Sequence, residues 1–408
     1  MAGYPIEAHA NVRAIASSLI REVANAGLGK RDVLPFWFGE PDEVTPQFIR
    51  DAAAAAMARG ETFYTHNFGL PALREALAHY VSGLHGPVPS DDIVVTNSGM
   101  SALMLVSQAL IGRGDRVVAV TPLWPNITSA PRLMGAEIVR VPLVFTPGAN
   151  GLAEWTLDLD RLLDALRPGT RALYLNAPNN PTGWAIGRQG QRALLEHCRR
   201  HGIWVVADDA YERLYYLEDA GEPSAARARS GKVCAPSFLD IAERDERVIA
   251  TNTFSKSWLM TGWRLGWIVC PRALVPEIAK LIEFNTSCAP GFVQYAGLAA
   301  VTQGEPVIAR TLQRFRRARD FLVDALGSIE GVEAALPPGA MYAFFRVQGM
   351  DDSLAFCKRM VAEAGLGLAP GAAFGPEGEG FVRWCFAADE QRLADGVDRL
   401  RQGLAVMR

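Results

Sequence analysis

Cysteine is scarce, with six scattered through 408 residues. No two of them form a CxxC pair, so the spacing gives neither a disulfide framework nor a zinc site, and no metal is expected. A reducing, cytoplasmic location is the matching expectation. Long apolar runs are missing as well. None reaches membrane-spanning length, and the opening MAGYPIEAHANVR has no apolar stretch of the signal-peptide kind. Charge of one sign is not in excess: the formal net charge is −3, which gives no reason to expect nucleic acid or an anionic membrane as partner. His197 and His201 stand four apart on an expected helix, but no HExxH pattern accompanies them, and a solvated pair is expected. Neither a glycine-rich dinucleotide fingerprint nor a P-loop is present, which weakens nucleotide-dependent readings.

What the chain does have is apolar residues, 49% of the total, enough for a large core and for two domains. From Ile93 the pattern alternates short apolar runs with helical periodicity, as in an α/β sheet. Strands are expected at Ile93–Asn97, Arg116–Val120, Glu137–Pro142, Arg171–Asn176, Ile203–Ala207, Arg247–Asn252 and Leu265–Cys270. One helix is expected over Asn11–Leu28, another from Pro46 through the alanine run, and a long one over Glu305–Leu326. The arginines at 314, 316, 317 and 319 read as the wet face of that long helix. Phe145–Leu157 reads as a loop bearing Gly and Pro. The last third, with MYAFFRV and GFVRWCFA, reads as a small α+β unit.

The stretch TFSKSWLMTGWRLGW, Thr253 to Trp267, carries the chemistry. Lys256 lies among aromatic and apolar residues, where an ammonium loses hydration and its pKa falls. A neutral amine is a nucleophile whose natural partner is an aldehyde. The hydroxyls of Thr253, Ser255, Ser257 and Thr261, with the Arg264 guanidinium, suit a phosphate. Aldehyde and phosphate together describe pyridoxal phosphate. On this stretch alone, a buried strand and turn with a snorkelling lysine is an equal alternative.

Other positions fit the same cofactor. Ser98-Gly99-Met100 sits at an expected strand-to-helix turn, where backbone N–H groups make an anion site, or Ser98 is an ordinary N-cap. Trp124 lies just past the C-terminal end of a strand, where ligands bind in such sheets, and an indole there can stack on a ring or fill the core. Asp208 ends an apolar strand and needs a cationic partner, unless Asp208 and Asp209 cap a helix. Tyr211 is placed to reach the same ligand. Arg383 is a charge inside an apolar strand and needs an anion, either a ligand's or that of a buried Asp or Glu in a salt bridge. Gly39 allows close backbone approach to a ligand, or simply punctuates a turn. Asn179-Asn180-Pro181-Thr182-Gly183 is a good turn in its own right.

Together these motifs resemble, over nearly the whole chain, the class I/II aminotransferases of fold type I. The resemblance implies an α/β large domain with a seven-stranded, mainly parallel sheet over 48–285, and a small α+β domain from 1–47 and 286–408. It implies pyridoxal phosphate carried on Lys256 as a Schiff base, with a ping-pong exchange of an amino group between an amino acid and a 2-oxo acid. In that scheme Asp208 pairs with the ring nitrogen, Asp209 is a helix cap, and Tyr211 and Asn180 reach the 3′-oxygen. Trp124 stacks on the ring. Ser98, Gly99, Met100, Thr253 and Arg264 hold the phosphate. Arg383, Asn180 and the Gly39 backbone clamp the substrate carboxylate. Tyr64, in the matching Y-x(4)-G-x(3)-LR segment, reaches into a neighbouring subunit's site, which implies a homodimer with shared sites. A C–S β-lyase on the same scaffold would use the same residues. A regulator's effector domain would need a winged-helix region, for which residues 1–38 are too short and insufficiently basic.

Overall fold

Seven short strands, all but the edge strand Glu137–Pro142 largely buried, meet in one mixed sheet. They are β1 (Ile93–Thr96), β2 (Arg116–Thr121), β3 (Glu137–Pro142), β4 (Thr170–Asn176), β5 (Trp204–Asp208), β6 (Val248–Thr253) and β7 (Gly266–Val269). The computed structural model describes residues 6–147, 152–217 and 230–407. The spatial order is β1-β7-β6-β5-β4-β2-β3. β7 runs antiparallel to both its neighbours and the other pairs are parallel. In the strands other than β3, burial of both faces accounts for the runs of apolar residues. Val94, Ile249 and Ile268 pack to one face with the helix α1 (Gly99–Leu110). Val95, Ala250 and Trp267 pack to the other, against the helices Gln47–Ala58, Pro71–Leu84 and Gly291–Gln303.

The parallel strands end together. Asn176 pairs with Asp208, and Asp208 with Thr251, so the C-terminal ends of β4, β5 and β6 share one edge. A second sheet faces chain segments from that edge. It holds β8 (Val332–Glu333), β9 (Tyr342–Val347), β10 (Ala369–Pro370) and β11 (Phe381–Cys385), in the order β8-β9-β11-β10. Arg383 sits mid-sheet, opposite Phe344 on one side and Ala369 on the other. Leu34–Pro35 pairs in parallel with Leu366–Gly367, which ties the chain's start to its last third.

Five local expectations are corrected. The N-terminal segment forms two helices, Ala10–Arg13 and Leu19–Ala26, because Ser18 starts the second by accepting from the Arg21 N–H (3.3 Å). Val144–Pro147 and Ala153–Thr156 form a hairpin, with Phe145 opposite Trp155 at 4.9 Å between ring centroids. An aromatic cross-strand pair outweighs the loop-like composition there; residues 148–151 of that stretch lie outside the described residues. Asp209 caps no helix, since residues 209–217 form none; it is buried and accepts from the Ser237 hydroxyl (2.7 Å). His197 is half-buried, with Nε2 2.8 Å from the Leu166 carbonyl, so the pair His197 and His201 is not simply solvated.

The arginine run is the fifth. It lies on α2 (Glu305–Gly327), whose face carries Phe315 and, one turn on, Arg319. Arg319 is buried, donates to the Pro337 carbonyl (3.2 Å) and lies 4.6 Å from the Tyr216 ring centroid. Arg314 pairs with Asp42 (2.6 Å) and Glu43 (2.9 Å). Of the four, Arg317 is the exposed one. Arg319→Ala should therefore lower stability by about 1–3 kcal/mol in urea unfolding. Arg317→Ala should stay within about 0.5 kcal/mol; equal effects would return the whole run to the surface.

Candidate active site

A cavity of about 380 Å³ opens where the sheet's C-terminal edge meets the N-terminal segment and the second sheet. Sequence-predicted residues lining it include Gly39, Gly99, Met100, Trp124, Asn180, Asp208, Tyr211, Thr253, Lys256, Arg264 and Arg383. Ser98 lies behind this wall and Tyr64 lies outside it.

One end of the cavity is built for an anion. Ser98, at φ 136°, turns the chain from β1 into α1, and its Oγ accepts from the Ser101 N–H (3.1 Å). Ser98 is thus the N-cap of a helix whose first N–H groups face the cavity beside Gly99 and Met100. Across from it Thr253 Oγ1 donates to Ser255 Oγ (2.9 Å) and accepts from the Ser255 N–H (3.1 Å). Arg264, in a left-handed conformation at φ 53°, also lines the cavity. Its Nη1 donates to the Thr261 carbonyl (2.6 Å).

Asp208 lies deeper. Its Oδ1 accepts from the Ala210 N–H at 3.3 Å. Burial raises its pKa to about 7, against the pull of that N–H and of the Lys256 charge. Asn176 braces the neighbouring backbone, donating to the Asp208 carbonyl (2.9 Å) and accepting from the Asn180 N–H (2.7 Å). Trp124 comes just after β2, is half-buried, and donates its backbone N–H to the Asn180 carbonyl (2.9 Å).

Lys256 enters from the turn after β6. Part of its stem meets the cavity, while its ammonium is withdrawn from bulk water and donates to the Gly39 carbonyl (2.6 Å). Burial pulls its pKa down to about 8, with the charges of Arg383 and Arg264 acting in the same direction. The amine lies 5.7 Å from the Tyr211 ring centroid. Tyr211 and Tyr342 share a hydroxyl hydrogen bond of 2.7 Å. A side chain at position 39 would bring its Cβ within 2.0 Å of the Tyr342 hydroxyl, so glycine is required there.

Arg383 closes the opposite wall. Nη1 donates to Asn180 Oδ1 (3.0 Å), Nη2 donates to the Trp37 carbonyl, and Nε is buried without a partner among the described residues. Its guanidinium is flanked by the rings of Tyr342 (4.4 Å) and Phe374 (4.9 Å). Among the described residues no carboxylate pairs with it, so the salt-bridge alternative does not hold. Asn180 is fixed by its turn, in which Asn179 Oδ1 accepts from the Thr182 N–H (3.0 Å) and hydroxyl (2.8 Å).

Tyr342, Asn126, Asn176 and the N-terminal side chains Ile20 and Arg21 also line the cavity, and no motif in the sequence marks them. Tyr342 looks like one more aromatic in an apolar strand. Asn176 was the readable one, since a buried polar residue at a strand end needs partners.

This arrangement fits pyridoxal phosphate. The helix N-terminus, hydroxyls and Arg264 suit its phosphate. The buried Asp208 carboxylate, held by one long backbone contact, suits a protonated ring nitrogen. The Lys256 amine suits its aldehyde.

Similarity to known proteins leads to the same place. The family model described as "Aminotransferase class I and II" matches residues 31–400. The chain is 30% identical over 398 residues to the aspartate aminotransferase of Pyrococcus horikoshii, covering 96% of this chain and 95% of that protein. A solved structure of a Thermus thermophilus aspartate aminotransferase single mutant superposes with TM-score 0.86 at 28% identity, covering 97% of this chain and 99% of that one. The aromatic aminotransferase from Pyrococcus horikoshii OT3 gives 0.81 at 30%, covering 94% and 99%. The chain belongs to the class I and II aminotransferases: it is a fold-type I, pyridoxal-phosphate-dependent transaminase that moves an amino group between an amino acid and a 2-oxo acid.

Proposed function

We propose a division of the transamination among the residues of this cavity. The supporting observation is that Lys256 and Asp208 share one cavity, each desolvated and neither neutralised by an ordinary ion pair among the described residues. Pyridoxal phosphate supplies the aldehyde that takes up the amino group and the ring that stores the electron pair. Lys256 Nζ carries the cofactor at rest and, once free, takes the proton from the substrate Cα. A pKa near 8 leaves a useful fraction of neutral amine at neutral pH. Asp208 would hold a proton on the ring nitrogen, Tyr211 and Asn180 would serve the 3′-oxygen, and Trp124 would support the ring. Ser98, through the helix it caps, acts with Gly99, Met100, Thr253 and Arg264 on the phosphate. Arg383, Asn180 and the Gly39 backbone bind the substrate carboxylate, with Arg383 Nε as the donor still unused.

The same reading divides the chain into a large domain over 48–285 and a small one from 1–47 and 286–408, supported by the pairing of Leu34–Pro35 with Leu366–Gly367. It assigns the protein to the cytoplasm, in keeping with six free, buried cysteines. Among the described residues no helix is long and apolar enough to cross a membrane.

The reading also makes the protein a homodimer. Tyr64 is 88% exposed, Phe63 84% and Phe284 90%. The Thr65 N–H lies 3.4 Å from Cys288 Sγ, which sets the Phe63–Tyr64 loop beside the turn after Phe284. Exposed aromatics gathered in this way need cover. A two-fold partner would supply it, and each chain would lend Tyr64 to the other's phosphate.

Arg383→Lys should raise KM for amino and oxo acids alike by roughly 10–100-fold, because an ammonium loses the guanidinium fork. The visible absorbance of the resting enzyme should not change. An unaltered KM in a folded variant would remove Arg383 from substrate binding.

For the dimer, two defective variants, Tyr64→Phe and Lys256→Ala, are mixed and allowed to exchange subunits. Activity above that of either variant alone is expected, since one site per mixed dimer is complete. A fully active species sedimenting as a monomer would overturn the shared site.

A further inference from the structure

Away from the cavity, three distant parts of the chain bring metal-ligating atoms together. His85 ends the helix Pro71–Leu84, Glu212 lies just beyond β5, and Cys234 lies in the segment leading to Ser237. All three are buried, at 1%, 5% and 4% exposure. His85 Nε2 lies 3.0 Å from Glu212 Oε2 and 3.9 Å from Cys234 Sγ, and the three ligand atoms all fall within 4.8 Å of one another. None of the three lines the active-site cavity. The transamination chemistry does not use them.

The other face of His85 is the second observation. Its Nδ1 lies 2.9 Å from Asp240 Oδ1. Asp240 is itself fixed by the Ser237 N–H (2.8 Å) and by Arg188 (2.7 Å). A carboxylate on one imidazole nitrogen sets the tautomer and aims the other nitrogen, as carboxylates do behind metal-bound histidines. Here the aimed nitrogen is Nε2, facing Glu212 and Cys234.

We infer that His85 Nε2, Glu212 Oε2 and Cys234 Sγ form a structural binding site for a zinc ion, with a water as fourth ligand. Imidazole, thiolate and carboxylate in one set favour zinc over magnesium or calcium. The geometry needs small shifts at the two His85 pairs and an approach of Glu212 Oε2 to Cys234 Sγ, which lie within 4.8 Å of each other. A tetrahedral ion with bonds of about 2.0–2.3 Å separates its ligand atoms by roughly 3.3–3.6 Å. The 3.0 Å pair must open by a few tenths of an ångström and the 3.9 Å pair must close by as much. Spacing in the sequence could not reveal the site, because residues 85, 212 and 234 belong to no short ligand motif.

The test incubates the holoenzyme with zinc chloride, desalts it, and measures bound zinc and its X-ray absorption edge. One zinc per chain is expected, with one sulfur neighbour at about 2.3 Å and nitrogen or oxygen neighbours at about 2.0–2.1 Å. Cys234→Ser is the companion variant, because the thiol's polar partner among the described residues is His85 at 3.9 Å and serine keeps its volume in the core cluster nearly unchanged, so the fold should stay intact. It should lose the sulfur neighbour and lower zinc affinity at least about tenfold, with transamination unchanged. Substoichiometric zinc in the wild type, or zinc without a sulfur neighbour that persists in Cys234→Ser, would overturn the site. Either result leaves the transaminase reading untouched.

Discussion

Desolvation of two opposite charges in one cavity is the constraint on which the rest depends. Asp208 and Lys256 are both withdrawn from water, and burial moves each pKa toward neutrality, to about 7 and about 8. An unpaired buried charge is costly, so such positions persist where something else meets them. The surrounding fold supplies the desolvation. β4, β5 and β6 are buried on both faces, and their C-terminal ends put Asn176, Asp208 and Thr253 on a common edge. The same strand apolarity that builds the core therefore sets the chemistry at its rim.

The second sheet and the N-terminal segment complete the enclosure. Tyr342 touches three parts of the site: it bonds Tyr211, flanks Arg383 and forbids a side chain at Gly39. Gly39 in turn offers its carbonyl to Lys256, and Trp37 offers its carbonyl to Arg383. Two backbone carbonyls two residues apart thus hold the two cations. A shift of the segment after Leu34–Pro35 would move both, which couples residues 36–39 to Lys256 and Arg383.

Residues that break a local pattern were legible in the sequence. Lys256 among tryptophans, Asp208 at the end of an apolar strand and Arg383 within one each carry a charge where none belongs, and all three line the cavity. The strands were legible from their apolar runs. Residues that conform to a pattern were not. Tyr342 resembles core, and Arg319 belongs to a run of arginines although its helix face points inward. Asp209 was misread because its role depends on the segment after β5: no helix starts there, and the carboxylate turns to Ser237. Phe145 and Trp155 pair across a hairpin that composition alone hides. In each case the missing information is tertiary.

The central claim is that the amine desolvated in this cavity is the one that carries the cofactor. Borohydride reduction of the yellow holoenzyme, followed by proteolysis and mass spectrometry of the labelled peptide, addresses it directly. A carbon–nitrogen double bond to a lysine becomes a stable amine under these conditions, so the label stays where the cofactor was held. The account predicts a single labelled peptide bearing Lys256. Label on another lysine, or a protein that stays colourless after pyridoxal phosphate is added, would contradict it.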